Sequence, residues 1–261
     1  MSTLVHPTAL VHDKAVLGQD VMVGPYAVIE ENTELGDKTR LDAFAQVKAH
    51  TVMGRENHVH SYACVGGVPQ DLKFKGEVSR LQIGYRNTIR EYVTLNRGTE
   101  GGGGITSIGS NCLLMAYVHV AHDCQIGDEV VFSNGATLAG HVVVGSHAII
   151  GGLSAVHQFV RVGEHAFVGG KTGVAQDIPP YMLAVGERAK LHGPNLVGLR
   201  RMKLSTETIQ ALKNTFRILF RSENSRKEAL AEVEEKLGHV PEVRRILEFV
   251  RQSQRGITPA T

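Results

Sequence analysis

An apolar residue returns at every sixth position along most of this chain. Val5, Val11, Leu17, Val23, Ile29, Leu35, Leu41, Val47, Met53, Val59 and Val65 keep one phase, which resumes at Ile83, Ile89 and Leu95. A second phase, displaced by one residue, runs unbroken from Ile108 through Leu114, Val120, Ile126, Phe132, Leu138, Val144, Ile150, Val156, Val162 and Val168 to Val174. A period of six fits neither the 3.6 of an amphipathic helix nor two-residue strand alternation, so one structural unit is being repeated. The inward residue is often followed by glycine, as in Leu17-Gly18, Val23-Gly24, Ile126-Gly127 and Val162-Gly163. One short strand and one bend per hexad, with a single aliphatic pointing inward, close three hexads into a triangular coil of about eighteen residues. Stacked coils predict a mainly β solenoid with three parallel sheets around a ladder of Val, Ile and Leu.

The solenoid is expected over residues 1–195 and a small α-helical domain over 196–261. Ser205 can cap a helix bearing Ile209, Leu212, Phe216, Leu219 and Phe220. Ser225 with Glu228 makes a capping box for a second helix ending near Gly238, and Pro241 opens a third with Ile246, Leu247, Phe249 and Val250. Their apolar stripes need a surface, either the carboxy-terminal end of the solenoid or a neighbouring subunit. The formal net charge of +2 is divided unevenly. Residues 196–261 hold 13 Lys and Arg against 8 Asp and Glu, whereas residues 1–195 hold 15 against 18. A basic tail suits an acidic partner, and equally a solvated helix face.

No apolar run approaches the roughly 18 residues of a membrane span, and the amino terminus lacks a basic segment followed by an apolar signal core. A cytoplasmic protein without a membrane span is expected. Cys64, Cys112 and Cys124 are odd in number and lack metal spacing, which disfavours both disulfides and a zinc ribbon.

Two segments interrupt the beat, at about 66–82 and 97–107. Both read as loops leaving the prism, and long loops on a rigid scaffold either carry function or are tolerated surface excursions. Gly101 to Gly104 do not form a phosphate loop, because the Lys-Ser/Thr pair and a following helix are missing. Histidine separates the possibilities. In the unbroken phase, residues eighteen apart stack on adjacent coils, so His122 lies under Gly140 and Gln158, with His141 and His157 one position away. At about 4.8 Å per coil these imidazoles line one edge over roughly 10 Å. His119 flanks the group and Asp123 adjoins His122. Imidazole suits general-base work because its pKa lies near neutrality. His147 and His165 are also eighteen apart, however, and can be a plain exposed ladder.

The stretch His119-Val120-Ala121-His122-Asp123-Cys124, then Leu138-Ala139-Gly140-His141 and Ala155-Val156-His157-Gln158-Phe159, resembles the UDP-N-acetylglucosamine acyltransferases that begin lipid A synthesis. Gln70-Asp71-Leu72-Lys73, Asn87 to Glu91, Gly173-Val174-Ala175-Gln176-Asp177 and Asn195 to Arg201 extend the resemblance over essentially the whole chain. It implies a left-handed parallel β-helix of hexapeptide repeats. It also implies transfer of an (R)-3-hydroxyacyl group from acyl carrier protein to the glucosamine 3-hydroxyl of UDP-N-acetylglucosamine. By the same resemblance His122 is the general base, Asp123 orients it, and the N–H of Gly140 stabilises the oxyanion. Gln70, Asp71, Lys73, His119, His141, His157 and Gln158 fall to the sugar and acyl pocket, and Asn195 and Arg201 to the nucleotide. Gly170 takes the acyl-length position, where a glycine leaves room for a long chain, and Arg188 lies near the channel's end. A homotrimer with sites between subunits is implied, with no metal, no dissociable cofactor and no nucleic-acid partner. Asn96 stands where the family commonly has His, Pro194 precedes Asn195, and Val197 replaces a commonly acidic residue, which affects the nucleotide contacts and leaves the base untouched.

Three other readings compete. A solenoid N-acyltransferase acting on a 3-amino sugar would share donor and base but normally carries an extra amino-terminal uridine-binding domain. A carbonic-anhydrase-like zinc solenoid needs metal-spaced histidines, which the His119/His122 step fits poorly. A structural solenoid explains the beat but not the joined histidine and loop motifs.

Overall fold

The structure, a computed structural model, describes residues 3–261. Most hexads form two-residue strands, such as Val28–Ile29 and His119–Val120, each followed by a bend. Every third strand pairs in parallel, bringing Leu41 beside Val59, Val120 beside Leu138 and Leu138 beside Val156. Among the described residues the pairs build three sheets of eleven, nine and eight strands. All pairing between strands is parallel except where Met182–Val185 turns back against Lys190–Pro194.

Beyond the first coil, each hexad buries two side chains rather than the single aliphatic expected. Strand alternation turns both ends of a three-residue stretch inward, so Val118 and Val120, Ala136 and Leu138, and Val142 and Val144 are all buried. Three large residues already fill the triangular cross-section, and the added position takes short side chains: Ala27, Ala45 and Ala148, Thr33 and Thr39, and Val118, Val130 and Val142. The bends are tight. At Gly24-Pro25-Tyr26-Ala27, the Ala27 N–H donates to the Gly24 carbonyl at 3.3 Å and Tyr26 has φ 56°, the type II pattern with proline second and a left-handed residue third. The same left-handed corner recurs at Phe44, Tyr62, Asp123, His141 and Phe159. A non-glycine residue there costs about 1–2 kcal/mol. Bonds between coils offset it, as where the His141 N–H donates to the His122 carbonyl at 3.0 Å.

The tail contains four helices, one more than expected. The addition is α1 (Leu196–Arg201), whose six residues are too few to display a helical period. The other three follow the sequence reading: α2 (Thr206–Arg221) capped by Ser205, α3 (Arg226–Leu237) with its Ser225/Glu228 capping box, and α4 (Pro241–Gln252) opened by proline. The helices pack on one another, and α2 and α4 meet the carboxy-terminal end of the solenoid, the first of the two surfaces considered. Arg161 lies over the Phe249 ring at 4.6 Å, and Arg245 pairs with Glu164 at 2.8 Å. Beyond α4 the chain returns to the coils, where Ile257 bridges Asp177 and Ala260 bridges Leu191.

The second interruption does not simply leave the prism. It turns at Glu100–Gly102, folds back, and rejoins the sheets as the strand Ile105–Ile108, within the span expected to be loop.

Candidate active site

His122 follows the strand His119–Val120 at the corner between the nine- and eight-stranded sheets. Its side chain is 13% exposed and that of Asp123 is 1% exposed. His122 Nδ1 and Asp123 Oδ2 are 2.7 Å apart. An ionised carboxylate accepts from Nδ1–H, which leaves Nε2 with its lone pair free, the tautomer a general base requires.

Asp123 is held from the other side by the second interruption. The Thr99 N–H donates to Oδ1 and the Thr99 hydroxyl to Oδ2, each at 2.7 Å, and the Asp123 N–H donates to Thr106 Oγ1 at 2.7 Å. Gly102 lies so close that a Cβ there would fall 1.9 Å from the carboxylate carbon. The glycine run thus permits the loop to close over a buried charge. Thr99, Gly102 and Thr106 escaped the sequence reading. Their signal, a one-residue phase shift beside a glycine run, was visible, but the partner was not.

Gly140 is one coil beyond His122. A Cβ on Gly140 would lie 2.6 Å from His122 Cε1 and 2.8 Å from Nε2, so only glycine lets the imidazole rest on this backbone. The ladder passes over the amide at this turn position, and Pro7, Pro25 and Pro180 occupy its equivalents. Gly140 therefore keeps an N–H outside the ladder, next to the free nitrogen of His122.

His141 meets His122 edge to face with ring centroids 5.1 Å apart, and stacks on Phe159 at 4.4 Å. Burial and the neighbouring His122 charge lower the His141 pKa, against the pull of Asp123. His119 bonds Thr94 Oγ1 through Nδ1 at 2.8 Å, and burial followed by the His122 charge lowers its pKa. A cleft of about 890 Å³ opens here, lined among others by Asp71, Lys73, Thr99, Glu100, His141 and Phe159. Asp71 and Lys73 thus share a cleft with His141. Gln70 is exposed and does not line this cleft. Gln158 lies one coil past Gly140, and His157 turns Nδ1 to the Gln158 carbonyl at 3.3 Å without touching His122. Among the described residues, two groups of side chains have metal-ligating spacing, His122 with Asp123 and His141, and Asp42 with His58 and His60.

Residues 177–258 match the second domain of UDP-N-acetylglucosamine O-acyltransferase, and residues 105–140 match the bacterial transferase hexapeptide repeat. The chain is 49% identical to an acyl-[acyl-carrier-protein]--UDP-N-acetylglucosamine O-acyltransferase of Aliarcobacter butzleri, over 97% of each chain. It is 51% identical to the protein of that name from Burkholderia vietnamiensis, over 98% of this chain and 99% of the relative. The solved UDP-N-acetylglucosamine acyltransferase of Bacteroides fragilis superimposes with a TM-score of 0.95 at 39% identity, covering 97% of this chain and 99% of that one. The chain belongs to the UDP-N-acetylglucosamine O-acyltransferase family.

The remaining positions that resemblance to this family singles out lie elsewhere on the chain. Asn195 caps α1, accepting from the Gly198 N–H at 3.1 Å and donating to the His165 carbonyl at 3.2 Å. With Arg201 it lines a cavity of about 500 Å³ beside Ile149, Phe167 and Leu183, on the eleven-stranded sheet. One acyltransferase chain therefore does not bring Asn195 and Arg201 to His122. Val197 lines the same cavity, and Pro194 ends the strand before it. Gly170 is exposed at the opposite corner of the nine-stranded sheet from His122, where a Cβ would stand 3.3 Å from the Gly152 carbonyl. Arg188 is exposed beside Gly173. Asn96 is buried under the first interruption and donates to the Val68 carbonyl at 3.1 Å, so it fastens a loop.

Proposed function

We propose that this chain transfers an (R)-3-hydroxyacyl group from acyl carrier protein to the 3-hydroxyl of UDP-N-acetylglucosamine, the first step of lipid A synthesis, with His122 as the general base. The observation that carries this is the clamped pair: Asp123, buried and held by Thr99, fixes His122 so that Nε2 lies against Gly140. Nε2 takes the proton of the sugar hydroxyl as its oxygen attacks the thioester carbonyl. The Gly140 N–H donates to the oxyanion of the tetrahedral intermediate. Collapse breaks the C–S bond, and the imidazolium returns its proton to the departing carrier thiolate, so base and acid are the same ring. Asp123 stabilises the imidazolium between these steps. Thr99 and Gly102 hold Asp123, and Asp71, Lys73 and His141 line the acceptor's cleft, with Gln70, His119, His157 and Gln158 around it.

The nucleotide is assigned to Asn195 and Arg201 of a neighbouring subunit in a homotrimer, because the two clusters lie on different faces of one chain. A guanidinium matches phosphate geometry. Gly170 and Arg188 are assigned to the acyl channel. The basic tail offers a seat for the acidic carrier protein. Three free thiols suit the cytoplasm. Among the described residues, no helix is long and apolar enough to cross a membrane.

The test is acyl transfer from hydroxyacyl carrier protein by wild type and His122→Ala. A loss of about 10²–10⁴-fold in kcat is expected. Undiminished transfer by a folded variant would remove His122 from the role, and inactivity of the wild type at every acyl length would remove the reaction. Competition between the 3-hydroxy and 3-amino nucleotide sugars decides the acceptor atom, with the hydroxyl expected to win.

A further inference from the structure

The eighteen-residue spacing that aligns His122 with Gly140 also sets Asp42 beside His60 on another face of the prism. His58 and His60 flank the inward Val59, so strand alternation turns both imidazoles outward from the eleven-stranded sheet. Their rings stack with centroids 3.9 Å apart. Asp42 Oδ2 stands 2.9 Å from His58 Nε2 and 3.4 Å from His60 Nδ1. From the next coil, Glu91 Oε1 comes within 3.7 Å of the same His60 nitrogen. Two imidazoles and two carboxylates from three successive coils thus converge on one small volume.

We propose that Asp42, His58 and His60 bind a zinc-type divalent cation, with Glu91 or a water molecule as fourth ligand. A tetrahedral ion with bonds of ~2.0–2.1 Å keeps its donor atoms ~3.3 Å apart. The separations of 2.9, 3.4 and 3.7 Å bracket that value. Imidazole with carboxylate is a donor set that Zn²⁺ accepts, whereas Mg²⁺ and Ca²⁺ favour oxygen alone. An outer ring of partners is already in place. Arg40 Nε donates to Asp42 Oδ1 at 2.8 Å, which orients the carboxylate, and the 2.9 Å hydrogen bond between Oδ2 and His58 Nε2 is the contact that a bound ion replaces. Arg90 grips Glu91 through Nε at 2.9 Å and Nη2 at 3.2 Å. A groove of about 460 Å³ lined by His6, Met22, Arg40 and Asp42 gives an ion a way in. The other ligand-spaced group is less open, because the Asp123 side chain is 1% exposed against 20% for Asp42, and Thr99 holds it from the protein side.

The site is tested by titrating the intact, chelator-treated protein with Co²⁺ and reading its visible d–d absorption, followed by displacement with Zn²⁺. One equivalent per chain is expected, with four-coordinate bands that Zn²⁺ abolishes. Affinity falls at least about tenfold in His60→Ala and Asp42→Asn, and about tenfold in Arg40→Gln, the size of effect an outer partner has. His122→Ala leaves the bands unchanged, and His58→Ala removes them without altering the circular dichroism. Absence of bands at millimolar Co²⁺, or an unchanged Co²⁺ affinity in His60→Ala, means that the cluster is only a hydrogen-bonded surface network and overturns the proposal.

Discussion

At the scale of single residues, the candidate site depends on close approaches that only particular side chains allow. Gly140 touches an imidazole where a methyl group would collide, and Gly102 does the same against a carboxylate. Asp123 is buried with its oxygens satisfied by Thr99 and His122, so its charge is stabilised and its direction is set. Thr99→Val removes the hydroxyl bond and keeps the backbone one. We expect kcat to fall about tenfold, corresponding to ~1.4 kcal/mol, with KM unchanged and with Thr99→Ser restoring the rate. Steady-state kinetics on the three proteins check this, and a rise in KM alone would move Thr99 into substrate binding.

At the scale of elements, the coils and the helices are held by different means. A coil is fixed by backbone bonds to the coils above and below, which is why strands of two residues persist inside a stack. The helices are held by their ends and by the faces they bury against the solenoid. The capping box of α3 satisfies two amides, through Ser225 Oγ and Glu228 Oε2. Ser225→Ala should cost about 1 kcal/mol of stability, read as a lower denaturant midpoint with acyl transfer unchanged under native conditions. These elements were legible from sequence because Ser225, Glu228 and Pro241 act within one turn. The fold-back at Thr99 was not, because its partner stands 24 residues away. Nor was the second inward residue of the hexads, since a position shared by Ala, Thr, Asn, Ser, Cys and Val gives no steady hydrophobic signal that separates core from bend.

At the scale of the whole molecule, the two proposed halves of the site lie on different faces of one chain. In the proposed homotrimer, co-assembling His122→Ala with Arg201→Ala subunits should therefore restore activity that neither variant has alone, because some interfaces pair an intact His122 with an intact Arg201. No recovery in mixed trimers would place both residues in a site built by one chain. The response of stability to acid follows from half-buried imidazoles. Burial lowers the pKa of His119 and, with the charge of the stacked His147, that of His165. As pH falls below about 6.5 the unfolded chain takes up these protons first. Stability is thus complete above that pH and declines below it, down through the depressed native values. Melting temperatures between pH 8 and pH 5 measure the decline, and His165→Gln should lessen it.

Periodicity alone determined a great deal. Six-residue spacing set the solenoid, and spacing of eighteen set which residues stack, because each coil is forced into register by bonds to its neighbours. His122 could be placed against Gly140, and Asp42 against His60, by counting. Tertiary structure decided what counting cannot reach. It turned the glycine-rich interruption inward onto Asp123, seated the helices on the solenoid's end, and separated Asn195 and Arg201 from the histidine edge. Those outcomes depend on loop closure and surface packing between segments distant in sequence, and no local spacing encodes them.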